Sequence, residues 1–295
     1  MKCIIPKNSG FCFGVALAVD SAYKNAGKSA YMYGEVVHNP LVVNDLISRG
    51  LTLINDLNEI PPEEKAKILI RAHGVPKGMI NEINSRALEI IDKTCPRVKK
   101  IHEIVCDASG RGLNVIIVGK PNHPEVNGII GWCSTNYVLI DSIDDVKKQP
   151  LDVSFFCKGI CMVSQTTHNK KIYEKIYTHY KSFIENIEFH NTICDATANR
   201  QNEIRELAQT VNAVIVVGGK KSSNVTKLYE IASEYCNLVL HIEDEKQLDY
   251  STLEDINILA IVSGASTPSK SVDAVLNGLS EYCNSNNIKF EIERL

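Results

Sequence analysis

Short apolar runs of strand length alternate with amphipathic segments along the whole chain, and the runs stop in a recurring way. "VIIVGKPNHPEVNGII" begins as a buried strand, halts at Gly119, and presents His123 and Glu125 before a helical pattern resumes. "YMYGEVVHNPLVVNDL" halts at Gly34 and presents His38, and "VIVVGGKKSSNVTKLY" halts at Gly218 and presents Ser222. The glycine and the polar residue lie four apart each time: 34 to 38, 119 to 123, 218 to 222. Continuous apolar runs of this length, bounded by glycine, read as strands covered on both faces.

Two further kinds of strand end recur. One carries His73 in "ILIRAHGVPKGMINEI", Thr166 and Thr167 in "CMVSQTTHNKKIYEKI", and Ser266 in "LAIVSGASTPSKSVDAVL". The other carries cysteine: Cys12 in "KCIIPKNSGFCFGVALAVDSA", Cys95 in "LEIIDKTCPRVKKIHEIV", and Cys194 in "IEFHNTICDATANRQNEIRELA". Each cysteine follows a short strand and opens a helical pattern. Pro96, Asp195 as a cap, and apolar Val98, Ile101 and Val105 are the signals. Offsets agree, with 24 residues from Cys95 to Gly119 and 24 from Cys194 to Gly218. Cys95 to Thr166 is 71 and Cys194 to Ser266 is 72, while the first repeat is shorter, 22 from Cys12 to Gly34. A repeat of this kind outranks any single motif. It predicts three similar α/β units with small, mostly parallel sheets, at 1–94, 95–193 and 194–295. Ligands bind at the carboxyl ends of strands in open α/β sheets. A pseudo-threefold arrangement around a central cavity is therefore expected.

Composition narrows the chemistry. A net charge of −3 and 6% aromatic residues argue against nucleic acid as a partner. No apolar run approaches the roughly 20 residues of a membrane span, and the N-terminus has no signal-peptide pattern. A cytoplasmic protein is expected. The ten cysteines then suit thiols, not a disulfide framework. Seven of them, Cys3, Cys106, Cys133, Cys157, Cys161, Cys236 and Cys283, read as small packed hydrophobes.

Cys12, Cys95 and Cys194 are different, because the repeat brings them to equivalent places. Thiolates are soft ligands, suited to iron–sulfur clusters or to zinc, and helix N-termini favour the thiolate. Three ligands to a four-metal cluster would leave one metal without a protein ligand. His38, His73, His123, Thr166, Ser222, Ser223, Asn224 and Ser266 form a set of neutral hydrogen-bonding groups near helix starts, which suits a phosphate or diphosphate. Glu125, two residues after His123, is a candidate proton donor. The residues leave other readings open: a phosphate-ligand binding module with a structural zinc, or a thiol enzyme using one activated cysteine with His123 as base.

The segments "GFCFGV", "GEVVHNP", "RAHGV", "TCPRV", "HPEVNGIIG", "SQTT", "SSN" and "GASTP", with "CDAT" and "NRQ" flanking Ala198, resemble the 4-hydroxy-3-methylbut-2-enyl diphosphate reductases. They run from residue 10 to 268 in the family's order. The resemblance implies a trefoil-like arrangement of three α/β domains. It implies a 4Fe-4S cluster on Cys12, Cys95 and Cys194, and a substrate site lined by His38, His73, His123, Ser222, Ser223, Asn224 and Ser266. Thr166 and Glu125 would sit near the substrate's hydroxyl end. The implied reaction is a two-electron reductive dehydroxylation giving isopentenyl and dimethylallyl diphosphates, with an external donor such as ferredoxin or flavodoxin. One departure is Leu17, where family members often carry arginine. It bears on an accessory surface, such as that for the donor. No appended RNA-binding module is expected after the third unit.

Overall fold

The computed structural model describes residues 1–148 and 153–295. Leu17–Val36 and Asn44–Cys194 form one compact unit; Met1–Ala16, Val37–Val43 and Asp195–Leu295 form another. The class is α/β. Three sheets are parallel throughout. The first has the strand order Thr52–Ile54, Ala30–Tyr33, Lys67–Ile70, Glu89–Asp92. The second has Tyr137–Ile140, Asn114–Val118, Ile160–Ser164, Ile187–Phe189. The third has Leu238–Ile242, Ala213–Val217, Ile258–Ser263, Lys2–Ile5, Glu291–Arg294.

The orders share one plan. A central pair is flanked by the strand that follows its first member and by a strand that runs into a cysteine. Glu89–Asp92 leads to Cys95, Ile187–Phe189 to Cys194, and Lys2–Ile5 to Cys12. In the third sheet that place is filled by the strand that opens the chain, paired with Ile258–Ser263 on one side and Glu291–Arg294 on the other.

The central strands are apolar along most of their length because helices cover both faces. Ala213, Ile215 and Val217 pack on Val272, Val275, Leu276 and Leu279 of the helix Ser269–Ser285. The alternate residues Val214 and Val216 pack on Ile204, Val225, Leu228 and Ile231 of the helices Asp195–Leu207 and Ser223–Tyr235. In the second sheet Val115, Ile117 and Val163 meet Ile101, Val105, Val126 and Ile129 in the same way. Each such aliphatic side chain contributes about 1.5–3 kcal/mol by burial.

Cys3, Cys161, Cys236 and Cys283 are buried as expected, Cys106 and Cys133 are half-buried, and Cys157 is exposed. Cys157 departs from the packed-hydrophobe reading because it lies in the turn after the short helix Val153–Phe156. Asp195 is the first helical residue, so its carboxylate lies in the first turn and is not the cap. It still complements the positive end of the helix.

Candidate active site

The three glycine strand ends are built alike. The amide of Gly34 donates to Ile54 O (2.8 Å), that of Gly119 to Ile140 O (2.9 Å), and that of Gly218 to Ile242 O (2.9 Å). A methyl group on Gly119 would lie 2.7 Å from Cγ2 of Val126, and one on Gly218 would lie 2.6 Å from Cγ2 of Val225. Both valines are seven residues on. Only a missing side chain lets the following helix close onto the strand end. His123 and Ser222 thereby become N-caps of the helices Pro124–Ile130 and Ser223–Tyr235. In the first strand end the cap falls one residue later. Asn39 Oδ1 accepts from the amides of Leu41 (3.1 Å) and Val42 (3.3 Å), so His38 precedes the cap of Pro40–Ser48.

Glu125 is in the first turn of its helix and only 2% exposed. The amide of Thr166 donates to its Oε1 (2.6 Å) and the Thr166 hydroxyl to its Oε2 (2.9 Å). Burial pushes the carboxyl up from 4.5 to about 7, against the Thr166 hydrogen bonds, which pull it down. A carboxyl at this value holds a substantial population of protons at neutral pH. The two oxygens are not equivalent. A backbone N–H can only donate, so Oε1 is held as an acceptor. The hydroxyl at Oε2 can reverse, accepting from a protonated carboxyl while donating outward. Oε2 is therefore the oxygen from which a proton can pass to Thr166 Oγ1.

His123 Nδ1 accepts from the Glu125 amide (3.1 Å), which places the proton of the neutral ring on Nε2. The His73 ring meets it edge-on, with centroids 5.3 Å apart. In the other unit, Ser266 Oγ donates to Ser222 Oγ (2.9 Å), and both residues are buried. Ser222 is thus an N-cap by backbone position without a capping side-chain bond. Asn224 is 4% exposed, and neither Oδ1 nor Nδ2 has a hydrogen-bond partner. An unpaired buried polar group costs about 1–3 kcal/mol, and this amide keeps donor and acceptor atoms of a kind that suits a polar ligand. Ser223 is half-buried at the start of the same helix. The His38 carbonyl lies against Gly219, where a Cβ has no room.

The cysteines share one further device. The amide of Cys12 donates to Ala265 O (3.2 Å), that of Cys95 to Ala72 O (3.0 Å), and that of Cys194 to Thr166 O (2.9 Å). Each acceptor belongs to a strand end of the kind that carries Ser266, His73 or Thr166. Each cysteine is thus tied to one polar strand end. All three are thiols of intermediate exposure directly before the helices Phe13–Asn25, Pro96–Gly110 and Asp195–Leu207. A set of half-buried thiols at helix N-termini fits a soft, thiolate-bound metal group.

Three residues inside the quoted motifs escaped the sequence reading. Arg200 Nη2 donates to Gly10 O (2.8 Å) and fixes the loop leading to Cys12. Arg71 Nη1 donates to Glu35 O (3.3 Å) beside Gly34. Gln165 is fully buried, accepts from the Lys120 amide (3.0 Å), and joins the loops after two strands. Their signal is a charged or amide side chain inside an otherwise small-residue motif.

Three parallel sheets with polar strand ends and a buried proton-holding carboxyl define an α/β enzyme. A family model described as LytB protein matches residues 3–280. A 4-hydroxy-3-methylbut-2-enyl diphosphate reductase of a Thermoanaerobacter species is 38% identical over 280 residues, covering 94% of this chain and 96% of that one. The enzyme of the same name from Clostridioides difficile is 38% identical over 282 residues, covering 95% and 99%. The solved structure of the E-1-hydroxy-2-methyl-but-2-enyl-4-diphosphate reductase from Plasmodium falciparum superposes with a TM-score of 0.88 at 26% identity, covering 99% of this chain and 92% of that one. The chain belongs to the LytB family of reductases. Among the described residues no helix is long and apolar enough to cross a membrane.

Proposed function

We propose that the protein reduces 4-hydroxy-3-methylbut-2-enyl diphosphate to isopentenyl and dimethylallyl diphosphates. Two electrons and two protons enter, one C–O bond breaks, a C–H bond forms, and the oxygen leaves as water. The observation that carries this reading is the Glu125–Thr166 pair, a buried carboxyl poised near pH 7 and bonded to a reversible hydroxyl. Hydroxide is a poor leaving group, and such a pair delivers the proton that turns it into water.

Cys12, Cys95 and Cys194 would hold a 4Fe-4S cluster, in keeping with their thiol chemistry and helix-start positions. When bound, the cluster supplies the electrons and an iron position without a protein ligand. The chain supplies the rest. Ser222, Ser223, Asn224, Ser266, His38, His73 and His123 bind and orient the diphosphate. Asn224 offers both an acceptor and donors, of which the donors suit phosphate oxygens. Thr166 relays the proton of Glu125 Oε2, and burial of Glu125 keeps bulk water from competing with it. The repeat segments 1–94, 95–193 and 194–295 each contribute one cysteine. The electron donor is a small external redox protein such as ferredoxin or flavodoxin, and the setting is cytoplasmic.

The test is anaerobic incubation of the reduced holoprotein with the substrate, followed by product analysis. Both five-carbon diphosphates are expected, in amounts matching the substrate lost. A protein that binds the diphosphate but leaves it unreduced under these conditions would be a binding module, not a reductase.

A further inference from the structure

The strand end that carries His73 and the helix that follows His123 meet along a seam. Trp132 Nε1 donates to Val75 O (3.0 Å), and the Lys77 amide donates to Gly131 O (3.3 Å). A methyl on Gly128 would lie 3.5 Å from His73 O, and one on Gly131 would strike Pro76. The two backbones are therefore close enough at Gly131 to need glycine, and at Gly128 they come within ordinary van der Waals contact of an added methyl.

His102 sits in the middle of this seam. It comes from the helix Pro96–Gly110, is 5% exposed, and stacks on Trp132 with centroids 5.2 Å apart and planes 16° apart. A methyl on Gly74 would lie 2.7 Å from its Cε1, and one on Gly128 would lie 3.3 Å from its Nε2. The ring thus fills a slot between the residue after His73 and the helix of Glu125. Nε2 is buried without a hydrogen-bond partner, an arrangement that costs free energy. Shape, not hydrogen bonding at that atom, holds the ring there.

We propose that His102 is a positioning residue, a spacer whose ring sets the separation between the His73 strand end and the helix that carries Glu125. It touches no reacting group. It acts through two backbones, and its effect falls on how His73, His123 and Glu125 face one substrate. The proposal rests on the reading of those residues as substrate-binding and proton-donating.

His102→Ala empties the slot. A misplacement of about 1 Å costs on the order of a hundredfold in rate, so kcat is expected to fall at least about tenfold. The Kd for substrate should stay within about threefold and the iron content should be unchanged, because each strand end keeps its own groups. A crystal structure of the variant should show the His73 and His123 rings displaced from their 5.3 Å separation. Unchanged ring separation overturns the proposal, whatever the rate. So does a kcat within twofold of the parent. If His102→Ala does not fold, Gly128→Ala asks the same question from the other side. Alanine favours the helix, yet its methyl lies 3.3 Å from Nε2 of the ring, which must give by a few tenths of an ångström, and a loss of kcat in the same direction is expected. Should the parent itself fail to reduce the substrate, the functional reading fails, while the ring separation still decides whether His102 is a spacer.

Discussion

Glu125 derives its role from two opposing effects on one carboxyl. Burial raises it to about 7, while the two Thr166 bonds hold it below what burial alone would give. Glu125→Gln keeps the shape but cannot release a proton. Turnover is expected to fall by two to four orders of magnitude, on the scale of general-acid catalysis, with iron content and substrate Kd little changed. Steady-state assays and metal analysis check this, and near-normal turnover would remove Glu125 from the proton path. The protonated form is the active donor, so kcat should decline as pH rises through about 7. The same shift acts on folding. A carboxyl raised from 4.5 to about 7 contributes stability that is fully present below pH 4.5 and lost as pH rises through about 7. Denaturant titrations of the parent and Glu125→Gln across that window should converge at the acid end. His102 has the opposite sign. Burial lowers it from 6.5 to about 4, with Asp92 opposing and Lys99 adding to the shift as lesser influences, so its contribution is lost as pH falls through about 4. Asn224 is tested by affinity. Asn224→Ala removes two unpartnered buried polar atoms, and a hydrogen bond to a charged group is worth about 1.5–3 kcal/mol. Calorimetry should show a Kd for the diphosphate roughly tenfold or more higher, and an unchanged Kd would take Asn224 out of the site.

At the scale of elements, one device recurs: strand, glycine, then a polar residue four on, which is the helix cap at His123 and Ser222 and precedes it at His38. Gly119→Ala should push Cγ2 of Val126, 2.7 Å from the added methyl, and tilt the helix that carries Glu125. Overpacking of this kind costs about 1–3 kcal/mol. A lowered denaturation midpoint with reduced kcat is expected, and a midpoint at or above the parent's would contradict the close-packing account. The four-residue spacing was legible in the sequence because glycine and the cap are local features. The central strands were legible because both their faces are buried. What lay beyond local pattern was missed for a physical reason. Asp195 looks like a cap, but the helix starts at Asp195 itself. Cys157 looks like a packed thiol, yet it falls in a turn after a four-residue helix and is exposed. Arg71, Arg200 and Gln165 act on backbone atoms 36, 190 and 45 residues away. Such partners are set by tertiary structure, and no spacing rule reveals them.

At the scale of the molecule, the repeat predicts similar sheets but not which sheet a given strand joins. The opening strand Lys2–Ile5 pairs parallel with Ile258–Ser263 and Glu291–Arg294, so the chain's start completes its last sheet. Pairing across more than 250 residues leaves no local trace in sequence. The three cysteines follow corresponding strands all the same, and each amide is tied to a polar strand end. The account rests on those cysteines acting together. Cys95→Ala should therefore abolish the metal centre, and a fully loaded variant would show that another residue is the ligand. The parent protein gives the most direct test. It should be purified without oxygen, its iron and acid-labile sulfide measured, and its visible spectrum recorded before and after reduction. The account predicts a brown protein with about four iron and four sulfide per chain that bleaches on reduction. A colourless protein that takes up no iron and sulfide on reconstitution, or that holds zinc on the cysteines, would contradict it.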